Sequence, residues 1–116
     1  MPIRGIRGAT TVSNNAKEEI IAATKKLLSE IAKRNQIGIK EIASVVFSVT
    51  KDLNAEFPAV AARELEWNET PLLCTREIDV PGSLPKCIRV LLHVNTDKKQ
   101  NEMEHIYLRE AVSLRR

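Results

Sequence analysis

The chain has 116 residues, of which 43% are hydrophobic and 28% charged, a balance typical of one folded domain spanning residues 1–116. Its 18 basic and 15 acidic residues give a net charge of +3 but are interspersed without a dense Lys/Arg run, which argues against nucleic-acid binding. No apolar run reaches the roughly 20 residues of a membrane span and no signal-peptide core is present, so we expect a soluble, cytoplasmic protein without a membrane partner.

The first predicted element is a strand over residues 3–12 that contains two arginines, Arg4 and Arg7, and two glycines, Gly5 and Gly8. A buried arginine is costly unless an anion pairs with it, and glycine lets another group approach the backbone. This mixture predicts a pocket for an anion. Because side chains alternate along a strand, Arg4 and Arg7 lie on opposite faces, and we interpret Arg4 as structural.

A helix is predicted directly after this strand. Residues 13–15 are polar, and Asn15 with Glu18 matches a capping box. The apolar stripe of the helix recurs at helical spacing: Ile20, Ile21, Thr24, Leu27, Leu28 and Ile31. After a short helical turn at residues 40–43, the β-branched run 44–50 predicts a central, largely buried strand.

The second half of the chain begins with a shorter predicted helix over residues 57–65, with Pro58 tolerated in its first turn. Residues 72–77 follow Pro71 and predict a third strand. The residues from 80 to 85 are rich in proline and glycine and predict a loop.

The longest predicted strand covers residues 87–95. Its aliphatic residues occupy alternate positions and face one way: Ile88, Val90, Leu92 and Val94. Arg89 therefore projects from the opposite face. Residues 105–108 predict a short strand, and residues 110–114 predict a final helical turn.

Strands that alternate with two helices predict an α+β domain in which a mixed sheet carries both helices on one face. With 3% aromatic residues the core must be aliphatic, and a domain of this size buries only about two thirds of its unfolded surface. The other face of the sheet needs a cover, which is most simply another subunit. Cys74 and Cys87 have neither C-x-x-C spacing nor a histidine at ligand spacing, so we expect reduced thiols and no metal site.

Five short motifs occur in order along the chain: Arg4-Gly-Ile-Arg7-Gly-Ala-Thr-Thr, Asp52-Leu-x-x-x-Phe57-Pro58-Ala59-x-Ala61-x-Arg63, Cys74-x-x-Glu77, Cys87-Ile-Arg89-Val and His105-x-Tyr107-Leu-x-x-Ala111-Val-x-Leu114-Arg115. Together they resemble the small, trimeric, monofunctional chorismate mutases, and the resemblance runs along nearly the whole chain. It implies an isomerase without cofactors that converts chorismate to prephenate in phenylalanine and tyrosine biosynthesis. It also implies a homotrimeric pseudo-α/β-barrel, with three sheets inside, helices outside and sites between subunits.

The implied reaction is a unimolecular rearrangement in which a carbon–oxygen bond breaks while a carbon–carbon bond forms, without a nucleophile, base or metal. The protein must hold a dianionic substrate in its compact conformer and stabilise the negative charge that grows on the ether oxygen. Guanidinium groups suit this task because they stay protonated and present a planar fork to carboxylates.

The resemblance implies a catalytic set of Arg89, near the ether oxygen, Arg7, as a carboxylate clamp, and Glu77, at the ring hydroxyl. Tyr107 is implied to assist Arg7 and Cys74 to assist Glu77. Cys74 and Glu77 are three positions apart and should face opposite ways, so we expect a bulge or the strand end to re-aim one of them.

The remaining substrate contacts implied by the resemblance are peripheral. Phe57 and Leu114 would form apolar walls, and Arg63 and Arg115 would guide a carboxylate at the mouth of the site. The two histidines of the chain, His93 and His105, show no partner pattern and are not expected to be catalytic.

Two alternatives stay open at this point. Trimeric proteins of the reactive-intermediate deaminase type resemble the same topology and also bind small acids through an interface arginine, although a deaminating site needs an activated water rather than two cationic clamps. A non-enzymatic trimer that binds an anionic metabolite or an RNA backbone is favoured only by the basic net charge.

Overall fold

The computed structural model describes residues 1–114, which form one mixed sheet and two α-helices. The elements are β1 (Ile3–Thr11), α1 (Lys17–Asn35), β2 (Ile42–Val49), α2 (Ala59–Glu64), β3 (Leu72–Arg76), β4 (Cys87–Asn95) and β5 (Ile106–Tyr107). Short 3₁₀ helices lie at Ile39–Glu41, Gln100–Glu102 and Arg109–Leu114. Within residues 1–114 no helix is both long and apolar enough to cross a membrane.

The strands lie in the order β3-β2-β4-β1-β5. The two central pairings, β1 with β4 and β2 with β4, are antiparallel, whereas the edge strands β3 and β5 pair in parallel with their neighbours. This arrangement confirms the predicted mixed sheet of the α+β class.

Both helices pack against the same face of the sheet, as predicted. The stripe of α1 places Leu27, Leu28 and Ile31 in the main core, where they meet Phe47 of β2 and Ala62 of α2. Each of these five residues is fully buried. Burial of a Leu, Ile or Phe side chain contributes about 1.5–3 kcal/mol, so this one-sided core holds the helices to the sheet.

We call the side of the sheet away from α1 and α2 the open face. Alternation along β4 buries Ile88, Val90 and Leu92 on the helix side and turns Arg89 to the open face, as predicted. Large apolar residues are exposed on the open face, including Leu73 at 59% and Leu91 at 37%. The 3₁₀ helix at Arg109–Leu114 covers one end of this face, and residues 1–114 leave the rest uncovered.

The predicted capping box at the start of α1 is wrong. The N-cap is Ala16, which has no polar side chain. The Oδ1 atom of Asn15 instead accepts hydrogen bonds from the backbone N–H groups of Asn54 and Ala55, each at 3.0 Å. The Asn15 side chain therefore binds the loop after β2, which is distant in sequence.

Two element lengths also differ from prediction. Helix α2 has six residues, because Pro58 is its N-cap rather than a member of its first turn. Strand β5 has two residues, since it pairs only with Gly8 and Ala9 of β1. At this edge of β1, the backbone groups of Gly5 and Arg7 form hydrogen bonds with side chains instead.

Gly8 lines the sheet below α1 and is required by helix packing. A Cβ atom at this position would lie 2.7 Å from Cδ1 of Ile31 and 3.2 Å from the carbonyl oxygen of Ile106. The absent side chain lets α1 approach β1 closely.

We expect Gly8→Ala to lower the free energy of unfolding by about 1–3 kcal/mol, because the added methyl group overpacks the α1–β1 contact. Gly5→Ala is the matched control in the same strand, since its added Cβ would lie 3.7 Å from Cδ1 of Leu91, an ordinary contact. Urea unfolding at one protein concentration measures both values. Equal losses in the two variants would contradict this account of Gly8.

Candidate active site

Four of the predicted site residues line one cavity of about 250 Å³ on the open face: Arg7, Glu77, Arg89 and Tyr107. We call it the arginine cavity. Apolar wall is supplied by Val46 and Leu91. Two guanidinium groups, a carboxylate and a phenol therefore converge on one concave surface.

Strand register brings the two arginines together. Antiparallel pairing of β1 with β4 sets Arg7 opposite Leu91 and Ala9 opposite Arg89. Directly opposed residues share a face, so Arg7 and Arg89 are diagonal neighbours. The Cα atoms of such a pair usually lie about 7–8 Å apart. Strand β5 adds Tyr107 next to Ala9, and β2 adds Val46, so four strands contribute to the cavity.

Glu77 is held over the open face by contacts with β2. Its backbone N–H donates to the carbonyl oxygen of Val49 at 2.8 Å, which extends the β2–β3 ladder by one residue. The hydroxyl of Ser48 donates to Oε2 of Glu77 at 3.0 Å. Oε1 of Glu77 lies 3.7 Å from Nη1 of Arg89, an ion pair that is too long to be a hydrogen bond. Arg89 thus keeps its hydrogen-bond donors for a ligand.

Asp52 holds Lys86, the residue just before β4 and three residues before Arg89. Both of its carboxylate oxygens accept from the backbone N–H of Lys86, at 3.1 and 3.0 Å. Burial alone would raise the pKa of Asp52, but hydrogen bonds from the Thr50 hydroxyl and the Lys86 N–H outweigh it and leave the pKa below its ordinary value. Asp52 therefore stays ionised and anchors the strand that carries Arg89.

Cys74 does not share the arginine cavity. Strand β3 is regular through Arg76, and Cys74 pairs with Phe47, whose side chain lies in the core on the helix side. The expected re-aiming of Cys74 or Glu77 is wrong within one chain, because the ladder continues regularly to Glu77. The two residues lie on opposite faces of the sheet.

Cys74 instead lines a second cavity of about 510 Å³, together with Phe57 and Arg76. We call it the β3-edge cavity. Phe57 is 66% exposed there, an unusual position for a phenylalanine. Burial raises the pKa of the Cys74 thiol, and the charge of Arg63 opposes this only in part. Cys74 is therefore a neutral thiol near pH 7 rather than a nucleophile.

Leu114 lies next to the arginine cavity. It lines a third cavity of about 330 Å³ that also contains Arg7, Tyr107 and His105. Arg115, the last predicted site residue, lies outside the described residues.

Sequence reasoning missed two residues that support the site. Ser48 orients Glu77 but carries no signal of its own, since its role depends on the β2–β4 register that places it opposite Arg89. His105 accepts a hydrogen bond at Nδ1 from the backbone N–H of Arg7 at 2.9 Å. Its position at the start of a motif shared with Tyr107 was the only available clue.

Comparison with known proteins agrees with this geometry. Residues 3–116 match the family model "Chorismate mutase type I". The protein "Chorismate mutase AroH" of Thermus thermophilus is 51% identical over 97% of this chain and 93% of its own length, and that of Bacillus subtilis (strain 168) is 47% identical over 99% and 91%. A solved chorismate mutase from Clostridium thermocellum superposes with a TM-score of 0.93 at 56% identity, covering 94% of this chain and 97% of that one. The chain thus belongs to the chorismate mutase type I family.

Proposed function

We propose that this protein is a chorismate mutase that rearranges chorismate to prephenate in the biosynthesis of phenylalanine and tyrosine. The observation that carries the proposal is the meeting of Arg7, Arg89 and Glu77 in one cavity of a chain of this family. Chorismate offers two carboxylates, a ring hydroxyl and an ether oxygen. One carboxylate, the ring hydroxyl and the ether oxygen each have a complementary side chain in the arginine cavity.

In the proposed mechanism, Arg7 binds a substrate carboxylate through its planar fork and Tyr107 donates a further hydrogen bond. Glu77 accepts from the ring hydroxyl. These contacts hold the compact conformer and remove most of the entropic cost of reaching it. The protein transfers no proton and forms no covalent bond to the substrate.

Arg89 acts on the transition state. As the carbon–oxygen bond lengthens, negative charge grows on the ether oxygen, and a fixed guanidinium stabilises that charge without reorganising. The 3.7 Å separation from Glu77 is too long to commit the donors of Arg89 to that carboxylate. Glu77 still lies close enough to orient the guanidinium electrostatically.

We further propose a homotrimer in which the arginine cavity of one subunit faces the β3-edge cavity of the next. Phe57 and Cys74 line the far side of the sheet from Arg7 and Arg89, so they can contact the same substrate only from another copy. The exposed Leu73 and Leu91 on the open face would then be buried. Arg63 and Arg115 keep their proposed roles at the mouth, and the whole chain from 1 to 116 forms one domain.

A cytoplasmic location is part of this proposal. In the described part of the chain Cys74 and Cys87 are both free thiols. Burial raises the pKa of Cys87 to about 11, so that thiol is protonated under physiological conditions. Free thiols are usual in a reducing compartment.

The direct test is incubation of the purified protein with chorismate, following the loss of its diene absorbance and the appearance of prephenate in equal amounts. The Arg7→Gln/Arg89→Gln double variant, verified as folded by circular dichroism, is the control. A folded wild-type protein that consumes no chorismate would overturn the proposed function.

Replacement of the catalytic charge should act on turnover. We expect Arg89→Gln to lower kcat at least about a hundredfold, or roughly 3 kcal/mol, with a much smaller change in KM, because the lost interaction is strongest in the transition state. Arg89→Lys should keep partial activity at most, since it loses the fork. Steady-state kinetics separate the two constants.

Arg4→Gln is the matched control for this experiment. Arg4 lies in β1 but its Nε donates to the carbonyl oxygen of Lys98 at 2.8 Å, away from the arginine cavity. We expect its kcat to stay within about threefold of wild type, as for a structural contact. A raised KM with unchanged kcat in Arg89→Gln would make Arg89 a substrate clamp only.

If each active site is shared between two subunits, mixing two inactive variants should restore activity. Mixed trimers of Arg89→Gln chains with Phe57→Ala/Arg63→Ala chains contain interfaces at which both contributing surfaces are wild type. Random assembly of equal amounts should give about a quarter of the wild-type interfaces, and activity to match. Co-refolding followed by assay and native mass spectrometry measures both. Mixed oligomers without recovered activity would show that each site lies within one chain.

A further inference from the structure

Arg76 is an exposed cation on β3 that the proposed mechanism does not use. The strand is regular at this point, and Arg76 pairs with Val49, whose side chain packs on the helix side of the sheet. Arg76 therefore shares a face with Cys74, two residues earlier, and both line the β3-edge cavity with Phe57. Among residues 1–114 the Arg76 guanidinium has no ion-pair or hydrogen-bond partner.

The one acid among the residues described around the β3-edge cavity is already engaged elsewhere. Oε1 of Glu56 accepts from the backbone N–H of Phe57 at 2.9 Å, and Oε2 lies 3.8 Å from Nζ of Lys17. Lys17 is not among the lining residues, so Glu56 is neutralised from outside the cavity. Arg76 therefore leaves this surface with a free positive charge beside an apolar wall. A guanidinium in that setting suits a carboxylate attached to an apolar ring.

The proposed substrate has one negative charge without a partner in the arginine cavity. Its side-chain carboxylate is attached to the carbon that carries the ether oxygen, so Arg7, the diagonal neighbour of Arg89, suits that carboxylate. The second carboxylate is attached to the ring, at the corner opposite the ring hydroxyl. With the hydroxyl at Glu77, the ring carboxylate points away from Glu77. In the proposed trimer the neighbouring subunit's β3-edge cavity faces it there.

We propose that Arg76 binds the ring carboxylate of the substrate, across the subunit boundary from the arginine cavity that binds the rest of the molecule. This inference rests on the proposed function and on the proposed trimer, in which the two cavities face each other. Arg63 and Arg115 guide the dianion at the mouth, whereas Arg76 contacts it in the bound state. Arg76 is thus the residue that distinguishes a dianionic substrate from one that lacks the ring charge.

Loss of this contact should act on KM. We expect Arg76→Gln to raise KM for chorismate about twentyfold and to leave kcat within about threefold of wild type, because the ring carboxylate is bound equally in the ground state and the transition state. Arg76→Lys keeps the charge but loses the fork, and should raise KM about fivefold. Lys26→Gln is the matched control. It removes one positive charge from the exposed surface of α1, where Lys26 lies 3.5 Å from Glu30, and should leave both constants within about twofold.

A substrate without the ring charge separates this contact from a merely structural role. The probe is chorismate carrying a methyl ester on its ring carboxylate. Arg76→Gln should lower kcat/KM about twentyfold for chorismate but less than about threefold for the ester, since the ester has already lost the charge that Arg76 binds. Equal losses on both substrates overturn the proposal. Arg63→Gln is the rival variant, and a loss on chorismate alone in that variant but not in Arg76→Gln also overturns it.

Mixed trimers test whether Arg76 acts on the site of a neighbouring chain. Arg76→Gln chains co-refolded with equal amounts of Arg89→Gln chains should carry wild-type residues on both sides of about a quarter of the interfaces. At low chorismate concentration, kcat/KM should then be about tenfold above that of the two variants assembled separately. Native mass spectrometry verifies that the trimers are mixed.

The outcomes separate this role from the proposed function. Mixed trimers with the same kcat/KM as the separate variants overturn the contact across subunits. Wild-type protein that turns over chorismate while Arg76→Gln keeps the wild-type KM overturns the role of Arg76 and leaves the proposed function intact. Absence of chorismate turnover in the folded wild type overturns the proposed function and this role with it.

Discussion

The antiparallel register of β1 and β4 is the constraint on which the site depends. It sets Ala9 opposite Arg89 and Arg7 opposite Leu91, so that two arginines from distant parts of the chain become neighbours on one face. A shift of one residue would turn every side chain of β1 to the other face and place Arg7 in the aliphatic core. The register is fixed from the helix side, where Ile6 and Leu92 are fully buried together. The core thus determines the geometry of a site to which it contributes no functional group.

Arg7 and Arg89 lie near each other on the open face, and the repulsion between their charges must be offset without engaging their hydrogen-bond donors. Glu77 lies at ion-pair distance from Arg89 but is hydrogen-bonded to Ser48 rather than to the guanidinium. The side chains of Arg89 and Glu77 are 44% and 27% exposed, so water still solvates both charges. The arrangement is a preorganised positive surface whose remaining donors suit a dianion. Its arginines need neither burial nor titration to function.

The parts of the structure that local pattern dictates were predictable from the sequence. Alternation along β4 correctly predicted that Arg89 points away from the aliphatic core. The spacing of Arg4 and Arg7 correctly predicted that they lie on opposite faces of β1. The capping box at Asn15 failed because that side chain binds Asn54, a contact that no local pattern records. Gly8 lines the arginine cavity, but its missing side chain is also needed for the approach of Ile31, which the strand pattern did not predict. Cys74 and Glu77 follow simple alternation after all, and the expectation that one chain unites them was the error. Which groups meet across subunits depends on assembly geometry, and no periodicity within one chain encodes it.

The pairing of Gln100 and His105 with β1 has a consequence for how copies of the chain can associate. An unpaired strand edge offers a row of backbone donors and acceptors to any other strand, and is a common route to fibrils and swapped dimers. Here β5 occupies that row at Gly8 and Ala9, and two side chains occupy it at Gly5 and Arg7. With its backbone groups already satisfied, this edge is poorly suited to adding a strand from another molecule, and growth of the sheet in that direction is blocked. On this side of the sheet, association therefore depends on side-chain fit rather than on backbone pairing.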